Sequence, residues 1–239
     1  MEKRQIEVCF SPELFRFYKN ENAHVVVIDI LRATSAICAA FANGAEAIIP
    51  VPTIDEAREY KKKGYMVAAE RDGVTLDFAD FGNSPFNFTP ERVMGKTVAY
   101  STTNGTQAIT QASVGLNVII ASFLNLSAVS NWLMNQPNGD VLFLCAGWKG
   151  RYCTEDSLLA GAIAQKLLES NLFETKCDAT YSSIDLWNVA KIDIFLYLER
   201  IAQRHRLKRL GLDDVLEYCF TPDSCNKVPF LKDGVIVTE

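Results

Sequence analysis

The chain has 239 residues, of which 49% are hydrophobic and 22% charged, and a formal net charge of −5. These values describe a globular chain rather than a disordered one, long enough for one large α/β domain or two small ones. They disfavour a general nucleic-acid binder, which needs a basic face, and no apolar run of roughly 18 residues offers a membrane span.

Strands alternate with helices from the start. Ile6 to Phe10 reads as a short strand, and Ser11-Pro12-Glu13 opens a helix through a capping serine and a proline at the first helical position. Val25 to Ile30 is a β-branched run of the kind buried on both faces. A helix from about Ser35 to Ala42 follows it and closes at Asn43-Gly44. Ala47 to Val51 is the next strand. Thr53-Ile54-Asp55-Glu56 is a capping box, and its helix ends at Gly64. Met66 to Ala69 is a strand leading to Glu70-Arg71-Asp72-Gly73, and Asp77 to Phe88 is an irregular aromatic loop, read as a buried edge, a lid or a dimer contact.

Thr97 to Tyr100, Val118 to Ala121 and Val141 to Cys145 are further strands, each followed by a helix; the last two helices run from Asn125 to Met134 and from Ser157 to Glu169. Beyond residue 180 the pattern is mostly helical, with Ile192, Phe195, Leu196, Leu198 and Ile201 as an apolar stripe. Arg204 to Arg209 reads as the solvated basic end of a helix. Asp213 to Cys219 is a short helix and Val235 to Val237 a closing strand. The alternation predicts a mainly parallel sheet with helices on both faces and ligands outside the carboxyl ends of its strands.

Three strand-to-helix junctions carry chemistry. The first holds Asp29, Arg32, Thr34 and Ser35. A carboxylate at the end of a buried strand needs a metal, a cation or backbone N–H groups, and the following helix start attracts anions. The second, Ser101 to Thr106, places hydroxyls, Asn104 and Gly105 before a helix, which suits phosphate oxygens but also suits a plain cap. The third, from Cys145 to Ser157, offers Lys149, Arg151, Glu155 and Asp156; the two acids equally fit dipole compensation in a first helical turn.

Neither a G-x-x-x-x-G-K-[ST] loop nor a G-x-G-x-x-G turn is present, and Leu31 breaks the D-x-D of aspartyl phosphatases. Cys145 and Arg151 have the C-x5-R spacing of cysteine phosphatases, although a core cysteine at a strand end explains Cys145 as well. The seven cysteines are scattered without C-x-x-C pairs and are expected as free thiols; His24 and His205 lack zinc-ligand spacing. The first residues lack the apolar core of a signal peptide, so a cytoplasmic protein is expected.

Five segments occur in order: Ile-Asp-Ile-Leu-Arg-Ala-Thr-Ser (28–35), Glu-Arg-Asp-Gly (70–73), Phe-Gly-Asn-Ser-Pro (81–85), Ser-Thr-Thr-Asn-Gly-Thr (101–106) and Cys-Ala-Gly-Trp-Lys-Gly-Arg through Glu-Asp (145–156). With the later Leu-Gly-Leu-Asp-Asp and Val-Pro (210–214, 228–229), the chain resembles the 2-phosphosulfolactate phosphatase family over nearly its whole length. The resemblance implies one domain over residues 1–239, helical from about 180, folded as a three-layer α/β/α sandwich with a mainly parallel or mixed central sheet. It implies a magnesium-dependent phosphatase that converts 2-phospho-3-sulfolactate to 3-sulfolactate and phosphate, a reaction of the coenzyme M biosynthesis type. Cys153, where the family resemblance leads one to expect Ser, and the bulky Trp148 are departures expected to change the pocket shape and with it the exact substrate.

On this reading Asp29, Arg32 and Glu155 are catalytic. Asp29 and Glu155 are the main magnesium ligands, with Asp156 or Glu70 beside or behind them. Thr34, Ser35, Arg71, Thr102, Thr103, Asn104, Gly105, Lys149 and Arg151 bind substrate. Water, Asp29 and Cys145 all stay open as the attacking group. The expected partner is a small anionic phosphomonoester, not nucleic acid or membrane, and a homodimer is compatible with the sequence. A metal-independent cysteine phosphatase and a non-catalytic phospho-ligand binder are the competing readings.

Overall fold

Eleven strands form one mixed sheet, in a computed structural model that describes residues 3–18 and 20–238. The elements in order are β1 (Arg4–Cys9), β2 (Ala23–Ile28), α1 (Ala33–Ala42), β3 (Ala47–Pro50), α2 (Ile54–Lys62), β4 (Met66–Arg71) and β5 (Val74–Thr75). Then come α3 (Pro90–Val93), β6 (Thr97–Ser101), α4 (Gly105–Ala112), β7 (Asn117–Ala121), α5 (Leu126–Asn135), β8 (Asp140–Cys145), α6 (Thr154–Glu169) and β9 (Phe173–Glu174). The chain ends with α7 (Asp178–Ala190), α8 (Ile194–Leu198), α9 (Ala202–Arg209), α10 (Leu216–Cys219), β10 (Phe230–Lys232) and β11 (Val235–Val237).

The strand order is β5-β4-β6-β3-β11-β10-β7-β2-β8-β1-β9. Two parallel sets, β4-β6-β3 and β7-β2-β8-β1-β9, are joined by the antiparallel hairpin β10–β11. The closing strand, β11, therefore sits in the middle of the sheet, between β3 and its hairpin partner β10. The hairpin reverses strand direction between the sets, yet both present carboxyl ends to one cleft, which requires strong twist between them.

Alternation along each strand builds the layers. Val25 and Val27 of β2 share a core with Val98 and Tyr100 of β6, Ile37 of α1 and Ile109 of α4. Val26 and Ile28 face the other way, against Val129 of α5 and Leu158 and Ile163 of α6. Ala57 of α2 meets Val67 and Ala99 on the face opposite Val98. The result is an α/β/α sandwich. The Thr53–Glu56 capping box forms as expected.

Three local expectations need correction. The helix after Ser11 is a six-residue 3-10 helix, Pro12–Phe17. The helix expected from Ser157 starts at Thr154, which puts Glu155 and Asp156 inside its first turn. The apolar stripe past residue 190 does not form one buried face. Asp193 caps a new helix by accepting from Leu196 N (3.0 Å), so the register breaks; Leu198 and Ile201 are buried but Ile192 and Leu196 are 85% and 71% exposed. All seven cysteines are free thiols. Among the described residues no helix is long and apolar enough to cross a membrane.

Candidate active site

β2 is fully buried, and the chain turns sharply at its end. Asp29 Oδ1 accepts from Ala33 N at the start of α1 (3.2 Å). The Thr34 hydroxyl accepts from Asp29 N (3.0 Å) and donates to Asp29 O (2.9 Å), while the Ser35 hydroxyl donates to Ile30 O (2.9 Å). Both hydroxyls are buried and brace the turn, so their bonds go to backbone. The Leu31–Arg32 peptide is cis. Arg32 is 4% exposed, and its Nη2 donates to Asn83 Oδ1 (2.7 Å) in the aromatic loop.

The second junction closes on the first from β6. Gly105 begins α4, and a Cβ there would collide with the Ala33 methyl and lie 2.9 Å from Asp29 Oδ2. Two helix starts thus converge on one carboxylate, and only glycine lets them approach. Thr102 and Thr106 bond each other across the first turn of α4. Thr103 N and its hydroxyl both donate to Glu70 Oε1 (2.8 and 3.1 Å), and Glu70 Oε2 accepts from Gly73 N (2.6 Å). Glu70 therefore ties the β4–β5 turn, where Asp72 and Gly73 both have positive φ, to the β6 turn. Of the residues expected to cradle phosphate, Asn104 borders the cleft and Gly105 its carboxylate, while Thr102 and Thr103 are held by the scaffold. Arg71 points at backbone, donating to Glu70 O (2.6 Å), and at Ser101 Oγ (3.0 Å).

The third junction follows β8. Cys145 is fully buried in the apolar core. Asp156 Oδ1 accepts from Ile30 N (2.9 Å) and Oδ2 from Gly147 N (3.0 Å), which pins the first turn to the third. Asn104 Oδ1 accepts from Lys149 N (3.0 Å), joining the second turn to the third. The Lys149 ammonium pairs with Asp72 at 2.8 Å on the surface. Arg151 is exposed and bonds Trp148 through backbone only.

The acids of this cleft sit in an unusual field. Burial pushes the Asp29 carboxyl up to about 6, against the Ala33 N–H that lowers it, and the charge of Glu70 adds to the rise. Burial likewise pushes Glu155 up to about 7, with Asp29 adding. Asp156 is raised well above the usual carboxylate range by burial and then by Glu155 and Asp29. Like charges out of water favour protonation unless a cation joins them. Among the described residues no ion pair reaches Asp29, Glu155 or Asp156. No three His, Cys, Asp or Glu side chains among them converge as a metal cage either.

A narrow cleft of about 10 Å³ lies between Asp29, Arg32, Asn83, Asn104, Trp148 and Arg206. A larger open groove of about 460 Å³, beside Phe195 and Arg204, has its one cation already paired with Glu199 and Asp213 and gathers no comparable chemistry.

A family model described as 2-phosphosulpholactate phosphatase matches residues 9–234. The chain belongs to the 2-phosphosulfolactate phosphatase family. It is 40% identical over 212 residues to a probable 2-phosphosulfolactate phosphatase of Thermotoga maritima, covering 89% of this chain and 90% of that protein. A protein of the same description from Caldanaerobacter subterraneus is 36% identical over 219 residues, with 90% of each chain covered. One from Clostridium beijerinckii is 33% identical over 248 residues, covering 98% of this chain and all of the relative.

In this member of the phosphatase family, sequence reasoning missed Asn83 and Arg206, which line the cleft, and Gln203, which bonds Arg206. Asn83 lies in the Phe-Gly-Asn-Ser-Pro segment, which by itself assigns it no role. Gln203 and Arg206 come from α9, whose basic run reads as solvated. Gln203 is buried, donates to Leu31 O (2.9 Å) and accepts from Arg206 Nε (2.9 Å). Gln203 and Arg206 are three residues apart, so one helical face carries both. That spacing was the available signal, but nothing local says what the face would meet.

Proposed function

We propose that this protein hydrolyses 2-phospho-3-sulfolactate to 3-sulfolactate and phosphate, with magnesium as its cation. The observation that carries the reading is the convergence of two helix starts and the Arg32 guanidinium on the buried Asp29 carboxylate. Helix N–H groups and an arginine fork suit a doubly charged phosphoryl group. Carboxylates buried without a paired cation suit a hard divalent ion, which takes one or two carboxylates and keeps waters, so a full protein cage is not needed.

Asp29 and Glu155 would hold the metal, with Asp156 behind them as the strut between the first and third turns. Bound magnesium would offset negative charge on the phosphoryl oxygens. Arg32, held by Asn83, keeps donors free to orient the phosphoryl group. Glu70 keeps the β4 and β6 turns in register so that Asn104 and Gly105 border the same space. Nothing favours Cys145 as a nucleophile: burial, then Asp156, pushes its thiol well above the ordinary value, where a reactive cysteine needs a lowered one.

The test is phosphate release from 2-phosphosulfolactate and a set of simpler phosphomonoesters, with magnesium or EDTA, on wild type and Cys145→Ala. Release should require magnesium, and Cys145→Ala should stay within about threefold of wild type. Release that ignores EDTA but disappears with Cys145 would establish the cysteine mechanism instead. Saturable binding without release from any ester would make the protein a phospho-ligand binder.

A pH effect follows from the raised acids. The fold keeps Asp29 and Glu155 protonated where the unfolded chain releases those protons. Their contribution to stability is therefore present at low pH and is lost as pH rises through about 6 to 7. A cation favours the charged forms. Magnesium is thus expected to raise Tm more at about pH 8 than at about pH 5. Equal shifts at both pH values, read by thermal unfolding, would place the ion away from these acids.

A further inference from the structure

The bend between α7 and α8 carries apolar surface that folding does not cover. Val189, Ile192, Phe195 and Leu196 are 59%, 85%, 48% and 71% exposed. Ile192 stands just before Asp193, the residue that caps α8. An apolar side chain there ordinarily folds back onto the fourth helical residue. That residue, Tyr197, is covered instead by the Arg200 guanidinium, 3.8 Å from its ring centroid, and Ile192 reaches into solvent. Single exposed apolar residues need no explanation, but this cluster leaves roughly 500 Å² open, the size of the largest patch on an ordinary monomer.

Beside the patch runs the open groove of about 460 Å³. Leu198 and Leu216 are buried at its base, and Phe195 belongs to groove and patch alike. Its rim is acidic: Glu199, Asp213, Asp214 and Glu217 stand against the single guanidinium of Arg204, which pairs with the first two. Asp214 and Glu217 are exposed and join no ion pair among the described residues. The cations of the patch are equally unclaimed. Lys191 Nζ donates to the neutral Asn188 Oδ1 (2.6 Å), Arg200 stacks on Tyr197, and neither meets a carboxylate among the described residues.

Protruding apolar side chains flanked by cations thus lie next to an apolar groove flanked by acids. A two-fold interface needs both on one face, because each copy must offer its partner what it receives. We propose that a second copy of this chain docks here. Ile192 and Leu196 of each copy enter the groove of the other, and Lys191 and Arg200 of each face Asp214 and Glu217 of the other. Two such faces with their polar rims reach the roughly 1,000 Å² that a specific interface buries. A foreign basic segment would fill the groove but leave Ile192 and Leu196 in water, so it satisfies only half of the surface. None of these residues lines the cleft, and the proposal does not depend on the phosphatase reading.

Sedimentation velocity of the full chain, from about 1 to 100 µM, tests the proposal, with circular dichroism as the control on folding. Wild type should reach a dimer within this range. Leu196→Asp, a change at an exposed position, should weaken the dimer at least about a hundredfold. Lys191→Glu with Arg200→Glu should be monomeric, and so should Asp214→Lys with Glu217→Lys, because each face then meets its own sign. Mixing these two variants should restore a dimer, since both halves of the mixed pair oppose unlike charges.

Wild type that stays monomeric throughout, or a dimer that survives Leu196→Asp, would overturn the proposal. A mixture of the two charge variants that stays monomeric would overturn the two-fold pairing. A monomeric wild type that binds a synthetic amphipathic helix of lysine and leucine, and loses it in Asp214→Lys with Glu217→Lys, would assign the groove to a foreign partner instead.

Discussion

Asp29→Asn is expected to lower kcat by about a thousandfold or more while leaving Tm unchanged or raised. The two halves of this expectation have one cause. Asp29 is buried, its carboxyl is pushed up to about 6 chiefly by that burial, and no ion pair reaches it among the described residues. A carboxylate held this way does not stabilise the fold, so the isosteric amide does no harm to it. Oδ1 of the amide still accepts from Ala33 N, which keeps the start of α1 in place. What disappears is the negative charge at the meeting point of α1, α4 and Arg32, and with it the seat proposed for the cation. Steady-state rates in magnesium together with thermal unfolding test both halves. Near-normal turnover would remove Asp29 from the chemistry; a large fall in Tm would make it structural.

Asp156→Ala is expected to act in the opposite way, through the fold. Its two oxygens accept from Ile30 N and Gly147 N, backbone groups of the first and third turns. Alanine leaves both N–H groups buried without a partner, a loss of roughly 2–5 kcal/mol. Activity should fall with it, because Asp29 and Glu155 are then no longer held relative to one another. Denaturant unfolding should show the lower stability directly. A variant with unchanged stability but no activity would make Asp156 a metal ligand rather than a strut.

These two variants separate residues that look alike in the sequence. Glu155 and Asp156 are neighbours in one first helical turn, where either fits dipole compensation. Only the positions of Ile30 N and Gly147 N set Asp156 apart. The hydroxyls behave similarly. Thr34, Ser35, Thr102 and Thr103 read as phosphate contacts, but each makes short-range bonds to its own turn or to Glu70. Serine and threonine near helix starts satisfy backbone groups first, and composition alone does not tell such a hydroxyl from one left free for a ligand.

Gly105 shows the same limit from the other side. A glycine opening a helix is unremarkable in sequence, yet here its missing Cβ is the space that lets α4 approach Ala33 and the Asp29 carboxylate. Arg206 is the largest omission. Its run reads as a solvated helix end, which Lys208 and Arg209 are, while Arg204 pairs with Glu199 and Asp213 nearby in sequence. Arg206 instead reaches Asp72 O, 134 residues away, and the Trp148 ring.

By itself the sequence determined the strand–turn–helix junctions, the α/β class and the acids and arginine at the ends of β2, β4 and β8, because burial period, caps and turn residues act over a few positions. The tertiary structure decided the rest. It inserted the β10–β11 hairpin between two parallel sets, turned both sets of carboxyl ends onto one cleft, committed most hydroxyls to the scaffold, and brought Asn83 and Arg206 to it. Those outcomes depend on which distant surfaces meet, and no local pattern along the chain encodes the identity of a partner more than a hundred residues away.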